Sequence, residues 1–134
     1  MQALQDFLQG DQFVKLCGIE LVSVAPGQAV ARLRLEPRHL NAVGIAQGGA
    51  IFTLADYAFA AASNSHGTVA VGINVSISYL TAVTTGVLTA TAREVGANPK
   101  LASYTVDVTD AAGRLIAVFQ GMVYRKAQPI PLPS

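Results

Sequence analysis

The sequence predicts an α+β fold in which a long, curved antiparallel sheet wraps around one central α-helix. Residues 50–63, AIFTLADYAFAAAS, predict the helix because they are apolar on nearly every face of a helical wheel and so need partners on all sides. Four β-rich runs in the second half of the chain predict the sheet. The links between these runs are short, and a parallel crossover needs a dozen or more residues, so the strands are expected to be antiparallel.

The first 18 residues predict a short amphipathic helix that is interrupted near Gly10 and ends at Gly18. Two runs that alternate apolar and polar side chains follow, at residues 19–25 and 28–35. A proline-glycine turn signal separates these two runs. Together they predict a β-hairpin.

Residues 37–49, PRHLNAVGIAQGG, break the periodicity and predict an ordered loop that leads into the central helix. Beyond the helix, the four β-rich runs are expected to form a meander, in which each strand pairs with the next one along the chain. They are Val69 to Leu80, Thr85 to Val95, Lys100 to Asp110 and Leu115 to Tyr124.

The chain is expected to form a single domain over residues 1–134, because a chain of this size buries about two-thirds of its unfolded surface around one core. Its last residues, 127–134, are rich in proline. Proline lacks the backbone N–H that a strand donates to its neighbour, so this segment is expected to be a tail outside the sheet.

Charge is scarce in this sequence. Charged residues make up 13% of the chain, about half the roughly 25% of a typical soluble domain, and the formal net charge is +1. A surface so poor in charge is expected to be partly covered by another copy of the chain, so a homodimer is predicted. No basic cluster is present, which excludes nucleic acids and anionic membrane surfaces as principal partners.

The expected location is the cytoplasm. Cys17 is the single cysteine, so the chain has no internal disulfide, which suits a reducing compartment. The N-terminus lacks the charged and apolar regions of a secretory signal. The longest charge-poor run that suits a helix, residues 48–63, is shorter than the roughly 20 residues that span a bilayer.

Asp56 is the one formally charged residue between Leu40 and Ala92, and it lies in the middle of the predicted buried helix. Desolvation disfavours an ionised carboxylate and raises its pKa, which is a property of many functional groups. The alternative is a structural aspartate whose oxygens accept hydrogen bonds from the backbone or from hydroxyl groups, those across a subunit contact included.

Gly48 and Gly49 lie where the loop becomes the helix. Glycines at a helix N-terminus allow a ligand to approach free backbone N–H groups, so this point is a candidate oxyanion hole. The side chains of Gln47 and Asn41 add amide donors nearby. The alternatives are that the glycines only permit a tight turn and that the two amides only hold the loop together.

Gly48 and Asp56 are too far apart along one helix to act on the same carbonyl group. Eight residues at 1.5 Å per residue separate them by about 12 Å, whereas the reaction needs roughly 3 Å. Two copies with antiparallel helices about a twofold axis would bring Gly48 of one beside Asp56 of the other. The sequence therefore predicts a site shared between two subunits.

The segment HLNAVGIAQGG, which begins at His39, and the following AIFTLADYAFAAASNSHG resemble the signature of hot-dog-fold acyl-CoA thioesterases of the PaaI-like (phenylacetic acid degradation) branch. The order of elements, the closing DAAGRLIAVFQGMVYR and the chain length are also similar. The resemblance implies the hot-dog fold, dimers that pair into tetramers, and active sites at the subunit interface. It implies hydrolysis of a small or medium acyl-CoA, aromatic ones included, with coenzyme A as part of the substrate and no other cofactor.

The resemblance also implies roles for individual residues. Asp56 becomes the catalytic carboxylate, as general base or nucleophile, Gly48 gives the oxyanion N–H, and Asn41 orients the carbonyl or the water. Gly49 joins the substrate-binding set. Gln47 departs from the family, where this position is commonly histidine, because glutamine donates a hydrogen bond but carries no proton at neutral pH.

The remaining candidates are weaker. Asn74, with Ser76 and Ser78, alternates along one predicted strand and is expected to meet the acyl group or the water, unless this is simply a polar strand face. Arg93 and Lys100, with Asn98, bracket a turn where the resemblance places the phosphates of coenzyme A. No metal-ligand cluster is evident.

Two other functions are compatible with the same resemblance. A non-hydrolytic protein that binds acyl-CoA or another ligand would not depend on Asp56. A hydratase is less favoured, since such proteins usually carry a histidine on the helix and residues 48–63 contain none. His39 and His66 are expected to flank the loop and to cap the end of the helix.

Overall fold

The computed structural model describes residues 1–131 and confirms the α+β architecture. A six-stranded antiparallel sheet packs against one long helix, and two short helices precede them. A short 3-10 helix, Pro37–His39, lies in the loop before the long helix. The elements are α1 Gln2–Leu8, α2 Gln12–Cys17, β1 Glu20–Ala25, β2 Gln28–Arg34, α3 Gly48–Ser63, β3 Thr68–Tyr79, β4 Val87–Ala97, β5 Leu101–Thr109 and β6 Leu115–Pro129.

The N-terminal segment forms two helices with the predicted break near Gly10. The side chain of Asp11 caps α2 by accepting a hydrogen bond from the backbone N–H of Val14 at 3.0 Å. The helix ends at Gly18, whose φ of +79° lies in the left-handed region that favours glycine. Strands β1 and β2 then form the predicted hairpin.

Helix α3 is enclosed on most of its surface, as its apolar sequence predicts. Nine of its sixteen residues are buried, including Leu54, Ala58 and Phe59. Of the seven residues that reach the surface, Gly48 and Ala50 lie in the first turn, and the other five form one stripe along the helix. These stripe residues are Gly49, Phe52, Thr53, Asp56 and Ala60.

Two glycines allow α3 to approach the sheet closely. A Cβ at Gly121 would lie 2.7 Å from two carbons of the Phe59 ring, and a Cβ at Gly72 would lie 3.3 Å from a third. The ring therefore rests directly on the backbone of β6 and β3. It also contacts the rings of Phe119 and Tyr104, with centroids 5.4 and 5.8 Å away.

The predicted meander is wrong for the first of its four strands. The strand order is β1-β2-β4-β5-β6-β3, so β3 pairs with β6 at the edge of the sheet and not with β4. Residues 80–86 connect β3 to β4 across the end of α3, where the backbone N–H of Ala46 donates to the carbonyl of Val83 at 2.8 Å. Seven residues suffice for this crossing, because three strand spacings amount to only about 14 Å.

The expected separate C-terminal tail is also wrong for part of its length. Strand β6 continues to Pro129, which pairs with Thr68, and the N–H of Ile130 donates to the carbonyl of Gly67 at 3.1 Å. Proline is tolerated at this position because the register of β3 and β6 is irregular between Thr68 and Ala70, beside the pair that Pro129 makes. Residues 132–134, the remainder of that tail, lie outside the described residues.

Within residues 1–131, no helix is both long and apolar enough to cross a membrane.

Candidate active site

The loop before α3 is rigidly held. Its buried His39 accepts a hydrogen bond from the backbone N–H of Glu36 at 2.9 Å, and its other ring nitrogen lies 2.7 Å from the carbonyl of Cys17. The backbone N–H of Gln47 donates to the carbonyl of His39 at 2.8 Å. Both ends of the loop are thereby tied together, and the helix N-terminus has a defined position.

Asn41 holds the same loop from within. Its side-chain oxygen accepts hydrogen bonds from the backbone N–H groups of Val43, at 3.0 Å, and Ile45, at 3.3 Å. Its amide nitrogen has no hydrogen-bond partner in the part of the chain that the structure describes. Asn41 therefore does hold the loop together, and its NH₂ group remains free to donate a hydrogen bond to a ligand.

Gln47 is the N-cap of α3, and its side chain takes up one of the two glycine donors. The backbone N–H of Gly49 donates a short hydrogen bond to the side-chain oxygen of Gln47. The N–H of Gly48, in contrast, has no acceptor among residues 1–131. Of the two glycines, only Gly48 thus offers an unoccupied N–H group to a ligand.

Tyr79, at the end of β3, lies against Gly48. Its hydroxyl donates to the Gly48 carbonyl at 2.9 Å, and a Cβ at Gly48 would lie 3.1 Å from the hydroxyl oxygen and from the ring carbon that carries it. A glycine at position 48 is therefore favoured for steric reasons, and it also offers a free N–H group. Tyr79 was not among the sequence candidates, because nothing in the sequence relates it to a glycine 31 positions earlier.

Asp56 lies on the exposed stripe of α3 and is half-buried. Burial raises the pKa of its carboxyl above the ordinary aspartate value, and the negative charge of Asp11 raises it further. No donor in the described residues hydrogen-bonds this carboxyl. The structural alternative, an aspartate satisfied by the backbone or hydroxyls of its own chain, is therefore not what the structure contains.

The three remaining binding candidates do not gather around α3 within one chain. Asn74 pairs with the exposed Met122, and Arg93 pairs with Thr105, on the outer face of the sheet. Lys100 lies in the turn between β4 and β5, next to an Asn98 side chain that accepts two backbone hydrogen bonds. The roles of Asn74, Arg93 and Lys100 stay predictions.

A second polar cluster fastens the C-terminal end of α3 to the sheet. Tyr104 donates to Glu94 at 2.6 Å, and the same carboxylate oxygen lies 2.9 Å from a ring nitrogen of His66. These bonds hold the pKa of Glu94 below its usual range, while burial and this contact raise that of Tyr104. Ser65, which accepts from the N–H of Gly27 at 2.7 Å, ties the β1–β2 hairpin to the same place.

No group of three or more metal-ligating side chains occurs among residues 1–131.

Comparison with known proteins gives consistent matches. Residues 43–117 match the thioesterase superfamily. A protein of Archaeoglobus fulgidus is 38% identical over 136 residues, which cover 100% of this chain and 88% of that protein. The acyl-coenzyme A thioesterase PaaI of Escherichia coli is 32% identical over 118 residues, or 87% of this chain and 84% of PaaI. The solved structure of the E. coli PaaI protein from the phenylacetic acid degradation operon has a TM-score of 0.92 and 30% identity, over 97% of this chain and 95% of that chain.

Proposed function

Because the chain belongs to the thioesterase superfamily and has the hot-dog fold of its relatives, we propose that this thioester hydrolase cleaves acyl-CoA to a free acid and coenzyme A. Its acyl group is small or medium in size, aromatic groups included, in keeping with the operon of the E. coli relative. The observation that carries the proposal is the pairing of a free N–H group at Gly48 with an unsatisfied carboxyl at Asp56 on one helix.

The Asp56 carboxyl and the Gly48 N–H have different roles in the reaction. With Asp56 as general base, its carboxylate takes a proton from water while the water oxygen bonds to the thioester carbonyl carbon. The N–H of Gly48 and the NH₂ of Gln47 then stabilise the negative charge on the carbonyl oxygen. As the carbon–sulfur bond breaks, the thiolate of coenzyme A takes the proton from Asp56. The NH₂ group of Asn41 orients the carbonyl or the water.

With Asp56 as nucleophile, its oxygen bonds to the carbonyl carbon, coenzyme A leaves, and water cleaves the resulting anhydride. Label found in the Asp56 side chain after single-turnover hydrolysis in H₂¹⁸O identifies the nucleophilic route. In the nucleophilic route one ¹⁸O atom enters the Asp56 side chain when water attacks there, and in the general-base route the label appears only in the released acid.

The site is shared between two chains in this proposal. Gly48 and Asp56 are separated by two turns of α3, or about 12 Å, so one chain cannot direct both at the same carbonyl. Antiparallel α3 helices related by a twofold axis would place Gly48 of each chain beside the partner's Asp56. The missing hydrogen-bond donors around Asp56 in one chain agree with a site that a second copy completes.

The edge strand β3 is the surface on which we place the dimer interface. Its twelve residues include none with a charged side chain, and Val71, Ile73 and Val75 are exposed. A long, uncharged, apolar edge is a template for pairing with another strand. Its last residue, Tyr79, contacts Gly48, so the same surface reaches the candidate site.

The proposal extends to a homotetramer in which two dimers meet through the outer face of the sheet. That face carries mostly uncharged polar side chains: Asn74, Ser76, Ser103, Thr105 and Gln120. In the assembled enzyme, Asn74, Arg93 and Lys100 belong to the surface that binds the substrate, with the two cations near the phosphates of coenzyme A.

Mixing two inactive variants tests the shared site. Gly48→Pro removes the N–H group at the first helical position, where proline is best tolerated, and Gln47 already has the extended backbone that proline requires, with φ −69° and ψ 135°. Gly48→Ala is its matched control, because it adds a Cβ but keeps the N–H group. We expect Gly48→Pro and Asp56→Asn each to lower kcat by about 10²–10³-fold, and Gly48→Ala to lower it much less.

When the two inactive variants are refolded together, half of the sites in each heterodimer contain an intact Gly48 and an intact Asp56. Thiol release should therefore recover in the mixture, to about a quarter of the wild-type rate at equal amounts. A mixture that stays as inactive as its components would contradict the shared site.

A panel of acyl-CoA substrates, followed by release of the coenzyme A thiol, tests the reaction itself. Short aliphatic, medium aliphatic and arylacetyl groups should be hydrolysed, with faster turnover than for long chains. Tight binding of these compounds without turnover, unchanged in Asp56→Asn, would instead identify a ligand-binding protein.

A further inference from the structure

We infer that Tyr79 is a positioning residue for the hydrolysis proposed above: its hydroxyl acts through one peptide group to orient the side-chain amide of Gln47 toward the substrate. The inference rests on the proposed function for its catalytic consequence. Its structural part, the coupling of Tyr79 to Gln47, rests only on contacts in the described chain.

The coupling follows from atoms that one peptide group shares. The Tyr79 hydroxyl donates to the carbonyl of Gly48 at 2.9 Å. The same peptide group carries the N–H of Gly49, which donates to the side-chain oxygen of Gln47. Hydrogen bonds in such a chain polarise one another, so the bond from Tyr79 strengthens the bond to Gln47.

Gln47 needs this support because glutamine is not among the favoured N-cap residues, which are serine, threonine, aspartate and asparagine. Its longer side chain loses more rotamer freedom when it is held in one orientation. Once its oxygen accepts from Gly49, only the NH₂ group is left to face outward, and it has no partner in residues 1–131. Gln47 and the free N–H of Gly48 then form a pair of donors at one helix end.

The position of Tyr79 links these donors to the proposed interface. The ring is half exposed and reaches Gly48 only because a glycine lacks the Cβ that would lie 3.1 Å from the ring. Tyr79 is also the last residue of the edge strand β3. A partner strand that orders β3 therefore also orders the donors at the N-terminus of α3.

Tyr79→Phe tests the inference because it removes the hydroxyl and keeps the ring. We expect kcat to fall about three- to tenfold with KM nearly unchanged, the effect of losing one ordinary hydrogen bond. Thr81→Val is the matched control, since the Thr81 hydroxyl donates to the carbonyl of Leu115 at 3.0 Å, two residues further along. It removes a bond of the same kind without touching Gly48, and its kcat should equal that of the wild type.

A double-mutant cycle separates positioning from a general loss of stability. In the Gln47→Ala background, Tyr79→Phe should cause no further loss of kcat, because the group that it orients is gone. Equal losses in both backgrounds would overturn the inference.

Amide NMR spectra decide the structural part without any measurement of activity. In Tyr79→Phe, the Gly49 amide proton should move upfield as its hydrogen bond weakens, and the Gln47 side-chain NH₂ signals should shift with it. If both signals stay where they are in the wild type, the inference fails even in an active enzyme. If the wild type hydrolyses no acyl-CoA but both signals move in Tyr79→Phe, the proposed function fails. The coupling of Tyr79 to Gln47 is then still supported.

Discussion

The carboxyl group of Asp56 is half-buried, has no hydrogen-bond donor within residues 1–131, and is near the negative charge of Asp11. Both burial and the like charge destabilise its ionised form, which is why its pKa is raised. A general base that is reluctant to ionise is suited to accept a proton from water near neutral pH. The same feature makes the folded chain less stable at any pH where Asp56 is ionised.

Asp56→Asn should therefore abolish most of the activity and at the same time raise Tm at pH 7. Because the pKa of Asp56 is raised in the folded state, its ionised carboxylate destabilises the folded protein at pH values above that pKa. Below the ordinary aspartate pKa of 3.8, Asp56 is protonated in both the folded and the unfolded protein, and the destabilisation is absent. The gain in Tm over the wild type should consequently disappear near pH 3. Calorimetric unfolding at the two pH values measures it.

Asp110→Asn is the control of opposite sign. Backbone N–H groups of Arg114 and Ala112 donate to Asp110 and hold its pKa below the usual range. Its replacement should lower Tm at pH 7. If Asp56→Asn also lowers Tm, desolvation does not dominate the energetics of the Asp56 carboxylate.

Residues of the candidate site were predictable as candidates where the sequence itself isolates them. Asp56 stands alone in a long uncharged segment, and Gly48 and Gly49 mark the start of the helix. Tyr79 was not predictable, because its contact with Gly48 depends on how β3 is placed beside α3. Gln47 accepts a hydrogen bond from the N–H of Gly49 and not from that of Gly48. This choice depends on the orientation of one side chain, which no residue pattern specifies.

Helix α3 and strands β3 and β6 meet at the Phe59 ring, which lies over Gly72 and Gly121. The ring occupies the space that two Cβ atoms would fill. The packing of the helix on the sheet therefore depends on the absence of side chains as much as on the apolar residues around it.

Gly121→Ala should destabilise the fold by about 1–3 kcal/mol, because its Cβ would lie 2.7 Å from the ring of Phe59 in a closely packed core. Gly96→Ala is the matched control. It is also a strand glycine, with no atom within 4 Å of an added Cβ and no positive φ, so its stability should match or slightly exceed that of the wild type.

Urea unfolding measures both variants. Adding Phe59→Leu to Gly121→Ala should recover part of the lost stability, because the smaller side chain relieves the contact. A Gly121→Ala variant as stable as Gly96→Ala would show that α3 can move away from the sheet at little cost.

Most elements were predictable from periodicity and turn residues, as were the pairings of β1 with β2, β4 with β5 and β5 with β6, but the partner of β3 was not. The short link after β3 favoured a hairpin with β4, yet residues 80–86 are long enough to span the three strand spacings between β3 and β4 and to cross the end of α3. Pro129 was likewise expected outside the sheet, whereas the long β3 provides Thr68 as a partner for it. Both errors arise because local patterns carry no information about the order and register of strands in the whole sheet.

The two edges of the sheet differ in a way that bears on assembly. Strand β1 has six residues and an irregular register between Leu21 and Ser23, features that discourage pairing with another sheet. Strand β3 has twelve residues and exposes apolar side chains. Only the β3 edge is suited to extend the sheet into a second copy.

Ile73→Lys should therefore convert the proposed dimer into monomers and remove activity along with it. Ile73 is 54% exposed in the single chain, so a lysine there can reach water in the monomer but would be buried in the interface. Val22→Lys is the matched control on the β1 edge, where the valine is 44% exposed. Its molecular mass in solution should equal that of the wild type.

Sedimentation velocity measures the mass of each variant, and circular dichroism confirms that each is folded. A folded Ile73→Lys variant that remains dimeric would move the interface away from β3.

The position of β3 also determines when the sheet can be completed during synthesis. Its pairs run from Tyr79 with Ala117 to Thr68 with Pro129, so every partner is made 38 to 61 residues later. While the ribosome still holds the C-terminal part of the chain, α3 and β3 are already made, but β3 has nothing to pair with. In the proposed dimer, β3 therefore becomes the edge of a complete sheet only after β6 has emerged.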